Sequence, residues 1–507
     1  MSENYVYITT PIYYPNDKPH LGHAYTTVLA DITARWFSLL GYNVFFLTGT
    51  DEHGLKLQRE AEKRGMQPKA FVDMMSEVFK DYWRKLNIEY SRFIRTTDPD
   101  HEELVKRVVE ELWKKGFVYK GIYRGWYCSG CEKFYSEKEY IVVNGKPYCP
   151  IHQRPLEYIE EETYFLKLSQ FKDYILKVLR EGNHVFPKNY ADEVASKIEL
   201  EGLQDLSIAR PKERVGWGIE LPFDKRFTIY VWIDALLNYL TGIGYGTDME
   251  RFEKFWRGSI QFIGKDILWF HTAVWFTLLA MLGIPPPRKL VVHGYLTVRG
   301  QKMGKSLGNV VSIDDMLARY GSADAVRFII ARIANFEKDS DISWDIYDSI
   351  YSGELVNNYG NLVRRVTALA LKIFNGEVEK DIDESHASVV RKLVQKAIES
   401  YNEVRINDAT KIAMDIAHET NAYLNREAPW AKERPVKAIY TALESVRLVT
   451  LLLHPVMPTT TKQILDALGV KIEKGLNQFN FGYIEKYRVK EAPIPFKKLP
   501  KQETETQ

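Results

Sequence analysis

The chain has 507 residues, of which 45% are hydrophobic, 27% charged and 13% aromatic, with a formal net charge of +2. That length predicts roughly three domains with ample apolar material for their cores, and the composition excludes a largely disordered chain. No run of about 18 uninterrupted apolar residues occurs, and MSENYVYITT has no basic segment leading into an apolar one, so neither a membrane span nor a secretory leader is expected and a cytoplasmic protein is. A charge this small neither requires nor excludes a nucleic-acid partner, since local patches can hold a large RNA.

In chain order, the β-branched and aromatic text at 5–10 reads as a buried strand, and Val28, Leu29, Ile32, Trp36, Leu39 and Leu40 follow at helical spacing. Between them lies HLGH, with His20 and His23 in the strand-to-helix turn and Gly22 between them. A helix start offers unpaired N–H groups and partial positive charge, so two imidazoles there could meet phosphates while Gly22 lets a flat ring lie against the backbone. The histidines could equally do no more than cap the helix. A second strand at 43–48 runs into Asp51, Glu52 and His53, completing a βαβ unit and hence a parallel sheet. Ligands bind such sheets beyond the carboxyl ends of the strands, where His20, His23, Asp51 and His53 all fall. Asp51 and Glu52 could also cap a helix at 55–64.

Amphipathic helical text fills 68–116, and turn-rich text follows at 121–154. All three cysteines lie in this second segment: Cys128 and Cys131 form one CxxC pair, and Cys149 pairs with His152 across the same spacing. Asn144 and Gly145 between the pairs predict a hairpin. An odd, clustered set of cysteines argues against a disulfide framework, and Cys₃His suits one tetrahedral Zn²⁺ whose closed coordination makes it structural. The alternative is a redox CxxC beside an unrelated Cys and His. We read 117–210 as an insertion. Strands are expected at 228–233, 259–263 and 290–292, ending near Asp234 and Tyr239, at Gly264 and Asp266, and at His293. A nearly all-apolar helix at 267–282 should be packed on both sides, and His271 within it reads from spacing alone as a core residue. Lys302 and Lys305 sit three apart in a glycine-bearing loop, which alone reads as a solvated basic turn. After 324 the strand pattern ceases, and helical periodicity at 354–374, 387–404, 408–424 and 438–453 predicts a bundle. Asn361 and Arg365 share one helical side. Trp430, in a later turn, is either an exposed aromatic platform for bases or bundle core.

Taken together these residues resemble the class I aminoacyl-tRNA synthetases, and among them the methionine-specific family, over essentially the whole chain. HLGH at 20–23 is similar to the family's HIGH signature and KMGKS at 302–306 to its KMSKS loop, with Gly304 in place of the usual serine. The resemblance implies an α/β fold: a Rossmann-like parallel-sheet catalytic domain in two halves (1–116 and 211–323) around a zinc-bearing insertion (117–210), a connecting segment (324–350) and an α-helical anticodon-binding domain (351–507). It implies that L-methionine and ATP, the latter with Mg²⁺, form methionyl-adenylate, and that the methionyl group passes to the 3′ end of tRNA(Met) for translation initiation and elongation. His20, His23, Lys302 and Lys305 would be catalytic; Gly22, Gly264, Asp266 and His293 would join them around ATP. Ile12, Tyr14, Asp51, Trp232, Ala235, Tyr239, Ile267 and His271 would form the methionine pocket, which reverses the core reading of His271. Asn361, Arg365 and Trp430 would read the anticodon. Cys128, Cys131, Cys149 and His152 resemble a one-zinc knuckle. The chain shows no appended oligonucleotide-binding domain, so a monomer, or a complex with a separate tRNA-binding protein, is expected. Isoleucine, valine and leucine enzymes carry a large editing domain for which the insertion is too short, and a nucleotidyltransferase sharing the HxGH turn would have no use for the bundle.

Overall fold

The computed structural model describes residues 4–128, 133–135, 137, 139–298, 301–302, 311–493 and 495–500, with residues 133, 134, 298, 301 and 302 as backbone alone. The amino-terminal part runs β1 (Tyr5–Thr9), α1 (Leu21–Leu39), β2 (Asn43–Thr50), α2 (Leu55–Lys63), α3 (Pro68–Lys85), β3 (Arg92–Arg95) and α4 (Pro99–Lys114). Where helix alone is expected at 68–116, the short β3 intervenes and pairs with β2; four residues are too few to show a strand period. Gly49 in β2 permits this pairing, since a Cβ there would lie 1.8 Å from the Ile94 carbonyl oxygen.

Next come β4 (Val118–Cys128), β5 (Lys133–Tyr135), β6 (Ile141–Val143), β7 (Lys146–Tyr148) and β8 (Glu157–Leu166). β4 and β8 form a long antiparallel ribbon, and β6 and β7 form the expected hairpin, with Asn144 and Gly145 both at positive φ. α5 (Lys172–Glu181), β9 (Val185–Phe186) and α6 (Lys188–Glu201) follow, then the short strands β10 (Leu206–Ser207), β11 (Ala209–Pro211) and β12 (Phe227–Ile229). The expected strand at 228–233 is cut short. β12 pairs antiparallel with β11, and α7 (Val231–Leu236) and α8 (Asn238–Thr241) carry Trp232, Asp234, Ala235 and Tyr239 on helix instead. After α9 (Met249–Trp256) come β13 (Ser259–Gly264), α10 (Trp275–Met281) and β14 (Lys289–His293).

The central sheet is parallel throughout, in the order β3-β2-β1-β13-β14-β9. Successive residues of β1 face opposite sides: Val6 and Ile8 join a core containing α1 and the carboxyl-terminal helices, whereas Tyr7 joins one containing α4, α7 and α10. Both faces are covered, which is why the strand text is largely apolar rather than alternating.

β15 (Leu296–Val298), β16 (Gln301–Lys302) and β17 (Ser340–Asp341) make a small sheet, with α11 (Ile313–Tyr320) and α12 (Ala323–Ile333) between β16 and β17 in the chain. Beyond α13 (Trp344–Ile350) and a π-helical stretch, Tyr351–Gly360, the bundle comprises α14 (Asn361–Phe374), α15 (Glu384–Asn402), α16 (Ile406–Glu427), α17 (Val436–Leu453) and α18 (Pro458–Ala467). β17 and the two-stranded pair β18 (Glu377–Glu379) with β19 (Lys486–Arg488) are strands where none is expected. No described helix is long and apolar enough to cross a membrane.

One buried ion pair joins the two parts. Asp31 in α1 meets Arg327 of α12 at 2.6 Å, both side chains being wholly buried. Arg327 also donates to the carbonyls of Val456 (2.8 Å) and Pro455 (2.9 Å) after α17, and of Leu86 (3.2 Å) after α3. Arg327→Met should therefore lower unfolding free energy by about 3 to 5 kcal/mol, read from denaturant midpoints, because a buried carboxylate loses a partner and several carbonyls lose their donor.

Burial pushes His454 and His386 down to about 4. Unfolded, each would take up a proton near its ordinary value of about 6.5, so below that pH the unfolded chain binds more protons than the folded one. Thermal melts should show stability flat above pH 7 from these groups and falling as pH drops from 6.5 toward 5, with a shallower fall in His386→Gln/His454→Gln.

Candidate functional site

The strand order reverses direction between β1 and β13, and ligands bind α/β sheets in the crevice at such a point. A cavity of about 680 Å³ opens there. Its wall is built from the residues following each strand: Ile12 and Tyr14 after β1, Asp51 after β2, Gly264 and Asp266 at the end of β13, and His293 ending β14. Backbone hydrogen bonds from Tyr13 N to Gly49 O (2.9 Å) and from Asp51 N to Tyr13 O (2.8 Å) hold the first two segments side by side.

His20 and His23 do cap α1. His20 Nδ1 accepts from the Gly22 N–H at 3.1 Å, and His23 Nδ1 accepts from the His20 N–H at 3.3 Å, a reciprocal capping box made by two imidazoles. The rings stack at 3.7 Å and 19°, and a Cβ on residue 22 would lie 2.9 Å from the His20 ring. Capping leaves both rings lining the cavity. Burial lowers the pKa of each, with His20 itself pressing His23 further down, so both are neutral at neutral pH. With each Nδ1 accepting, each neutral ring carries its proton on Nε2 and offers a donor there. At the other side of the crevice, His293 Nδ1 donates to the Gly294 carbonyl (2.8 Å) and its Nε2 accepts from Thr26 Oγ1 (2.7 Å), tying β14 to α1.

The inner end of the cavity is aromatic. Trp232 of α7 stacks on Phe270 at 4.0 Å and 1°, and Ala235, Tyr239 and Ile267 complete the wall. His271 lies in a π-helical turn, Phe270–Val274, rather than in the uniform helix expected at 267–282. Its Nδ1 donates to the Ile267 carbonyl at 3.1 Å, so its Nε2 accepts from the Tyr239 hydroxyl at 2.8 Å. Burial holds this imidazole down at about 4, and it stays neutral. Phe270, Lys56, Thr26 and Tyr295 belong to this site or its rim and escaped the sequence reading. Only the position of Lys56, five residues past Asp51 in the same loop-to-helix segment, could have flagged it. Lys302 is described as backbone alone, in β16 opposite Thr297; Lys305 and the rest of 302–306 lie outside the described residues, as does Cys131. Glu52 caps nothing: it is buried and bound to Arg95 through two contacts of 2.7 and 2.9 Å, and Gly54 begins α2 instead.

A second, open cavity of about 430 Å³ lies on the bundle, lined by Asn357, Asn358, Asn361, Arg365, Asn421 and Asn425 among others. Arg365 donates to Asn421 Oδ1 (3.1 Å) and Asn425 Oδ1 (2.8 Å) and sits 5.6 Å over the Trp430 ring. Trp430 is 53% exposed, so it is not bundle core. The asparagines of α16 were not foreseen, being distant in sequence from α14.

On the insertion, Cys128 Sγ and Cys149 Sγ lie 3.8 and 3.7 Å from His152 Nδ1, and the three ligand atoms fall within 4.8 Å of one another. Burial works against ionising Cys149, but hydrogen bonding with the Tyr135 hydroxyl and the His152 backbone and ring brings its pKa down to about 6. Two sulfurs and an imidazole at this spacing could hold a metal ion, and their softness suits zinc.

Known proteins match this arrangement along the chain. The family model for class I (M) tRNA synthetases matches residues 6–155 and 142–367, and the model for the anticodon-binding domain of tRNA ligases matches 383–503. Methionine–tRNA ligase of Caldanaerobacter subterraneus is 40% identical over 97% of this chain and 78% of its own, and that of Streptomyces coelicolor 38% identical over 92% and 90%. The structure of Mycobacterium tuberculosis methionyl-tRNA synthetase in complex with methionyl-adenylate superposes with a TM-score of 0.91 at 33% identity, covering 97% of this chain and 99% of that one. Nearly the whole length is accounted for in this way, from the imidazole-capped α1 to the bundle, and the chain belongs to the methionine–tRNA ligase family of class I tRNA synthetases.

Proposed function

We propose that the chain joins L-methionine to tRNA(Met) in two steps within the 680 Å³ cavity, supplying translation initiation and elongation in the cytoplasm. The observation that carries this reading is the meeting, in one crevice, of the His20 and His23 pair with Asp51 and an aromatic pocket. Asp51 receives the methionine ammonium, and Ile12, Trp232, Ala235, Tyr239 and Ile267 enclose the thioether. Tyr14 faces the sulfur, a weak acceptor. Both His271 nitrogens are engaged, so His271 serves the pocket by fixing the Tyr239 hydroxyl.

The methionine carboxylate attacks the α-phosphorus of ATP, and pyrophosphate leaves. Gly22 and Gly264 give the nucleotide close backbone approach, with Asp266 and His293 flanking it. His20 and His23 donate Nε2–H to phosphate oxygens as charge builds on them, without changing protonation state, while Lys302 and Lys305 supply cationic charge from 302–306. Mg²⁺ bound with ATP would add neutralising charge on the phosphates. A ribose hydroxyl of the terminal tRNA adenosine then attacks the acyl carbon, and AMP leaves. Asn361, Arg365 and Trp430 hold the anticodon by hydrogen bonding and stacking. Cys128, Cys131, Cys149 and His152 would bind one structural Zn²⁺. The domain limits given above follow this division of labour. Monomer, or complex with a separate tRNA-binding protein, is the assembly consistent with it.

ATP–pyrophosphate exchange across a panel of amino acids tests the reading: methionine should stimulate exchange at least 100-fold above leucine, valine or cysteine, and exchange led by another amino acid overturns it. Trp430→Ala should leave that exchange within twofold while reducing the rate of tRNA(Met) charging about fivefold or more, since one base–aromatic stack is worth about 1 to 3 kcal/mol. Removing bound metal with a chelator should release one zinc per chain and lower the melting temperature, as followed by metal analysis and calorimetry, with exchange lost only on unfolding because none of the described ligands lines the cavity.

A further inference from the structure

Asp234 of α7 is 1% exposed, in surroundings that are otherwise largely apolar. Each of its oxygens takes a bond from an imidazole: His53 Nδ1 reaches Oδ2 at 2.7 Å, and His101 Nε2, from α4, reaches Oδ1 at 2.7 Å. A carboxylate accepts only, so both ring nitrogens carry protons. The far nitrogen of His101 meets Thr241 Oγ1 of α8 at 2.9 Å, and that of His53 lies 3.9 Å from Glu102. The Trp217 ring lies 5.4 Å from that of His53, and the neighbouring Glu52 is committed to Arg95. Burial opposes charge on Asp234, but the two histidines more than offset it and its pKa falls. For His53 too burial opposes charge, and Asp234, Glu102 and Glu52 raise its pKa.

None of the three residues lines the cavity. Their neighbours in sequence do. His53 is two residues past Asp51, Asp234 stands between Trp232 and Ala235, and the Thr241 that His101 touches is two past Tyr239. Apolar side chains of similar volume would serve stability as well as a buried carboxylate with two imidazoles, so packing alone gives no reason for this arrangement. A directional link does: two short hydrogen bonds to one rigid carboxylate fix the distance between the loop after β2 and the short helices α7 and α8.

We propose that His53, Asp234 and His101 form a positioning array that sets the spacing between Asp51 and the wall of Trp232, Ala235 and Tyr239, and thereby the affinity for the amino-acid substrate. This rests on the function proposed above. None of the three is a catalytic residue, and the nucleotide side of the cavity, built on α1, β13 and β14, is independent of them.

The test is methionine-dependent ATP–pyrophosphate exchange by the full chain. Asp234→Ala and His101→Leu should raise KM for methionine at least tenfold while KM for ATP stays within threefold. In His101→Gln and His53→Asn the amide N–H groups stand where Nε2–H and Nδ1–H stood, and KM for methionine should stay within threefold. Where Asp234→Ala does not fold, the His101→Leu and His101→Gln pair decides on the same constants. The array is overturned if the methionine constant is unchanged in a folded Asp234→Ala or His101→Leu, if both substrate constants rise together, or if the amide variants are as impaired as the leucine one. Absence of methionine-dependent exchange in the unmodified chain would defeat the proposed function instead, which separates the two failures.

Discussion

Everything in this molecule hangs on α1, and on the burial of Asp31 near its middle. At 19 residues the helix is about 28 Å long. Its first turn holds the paired histidines, its middle is anchored through Asp31 to Arg327, and its last turn lies against the bundle. There Trp36 donates to Asn402 Oδ1 at 2.9 Å and stacks on Tyr401 at 4.6 Å. A buried carboxylate is stable only when fully partnered, and Asp31 is: Arg327, Arg35 and the Glu89 N–H all bind it. The ion pair thus fixes register among α1, α12 and the turn after α17. One apolar core then runs from β1 through α1 into the bundle without interruption. The His20 and His23 turn and the bundle cavity are consequently mounted on one continuous frame.

At the start of α1 the same two rings cap the helix and line the cavity, through different nitrogens. Four N–H groups are exposed at any helix start, and here two of the demands are answered by imidazole nitrogens rather than hydroxyl or carboxylate oxygens. The bonds decide the tautomer, and burial decides the charge. The product is a pair of neutral rings, each with an N–H donor, stacked at van der Waals distance without the repulsion two imidazolium ions would suffer. On the function proposed above, such donors would meet phosphate charge without a proton being moved.

Much of the site was legible in the sequence because the central strands carry strong local signals. The apolar runs at 5–10, 43–48, 259–263 and 290–292 are strands buried over most of their length, and their carboxyl ends had to converge once they paired in parallel. The placement of Asp51, Gly264, Asp266 and His293 at those ends follows from that rule, which also brought His53 there although it does not line the cavity. Trp232 and Tyr239 did not: their segment reads as strand from its β-branched text, yet β12 ends at Ile229 and two short helices take over. Their role came from resemblance to a family. Asn421 and Asn425 were invisible because only the packing of α16 on α14 brings them to Arg365. His101 was invisible for the same reason, being 133 residues from Asp234.

The sequence by itself determined most of the longer elements, the apolar periods that bury them, the chemistry of the cysteine and histidine spacings and, through HLGH and KMGKS, the family. These are local properties, set by backbone sterics and by which face of a helix or strand repels water. Only the tertiary structure decided protonation and partnership: which nitrogen of each histidine carries its proton, that His271 is held by Tyr239 and Ile267, that Trp430 stands in solvent, and that Arg327 reaches three other segments at once. Those outcomes depend on desolvation and on hydrogen bonds between residues far apart in the chain. Neither quantity exists until the chain has folded.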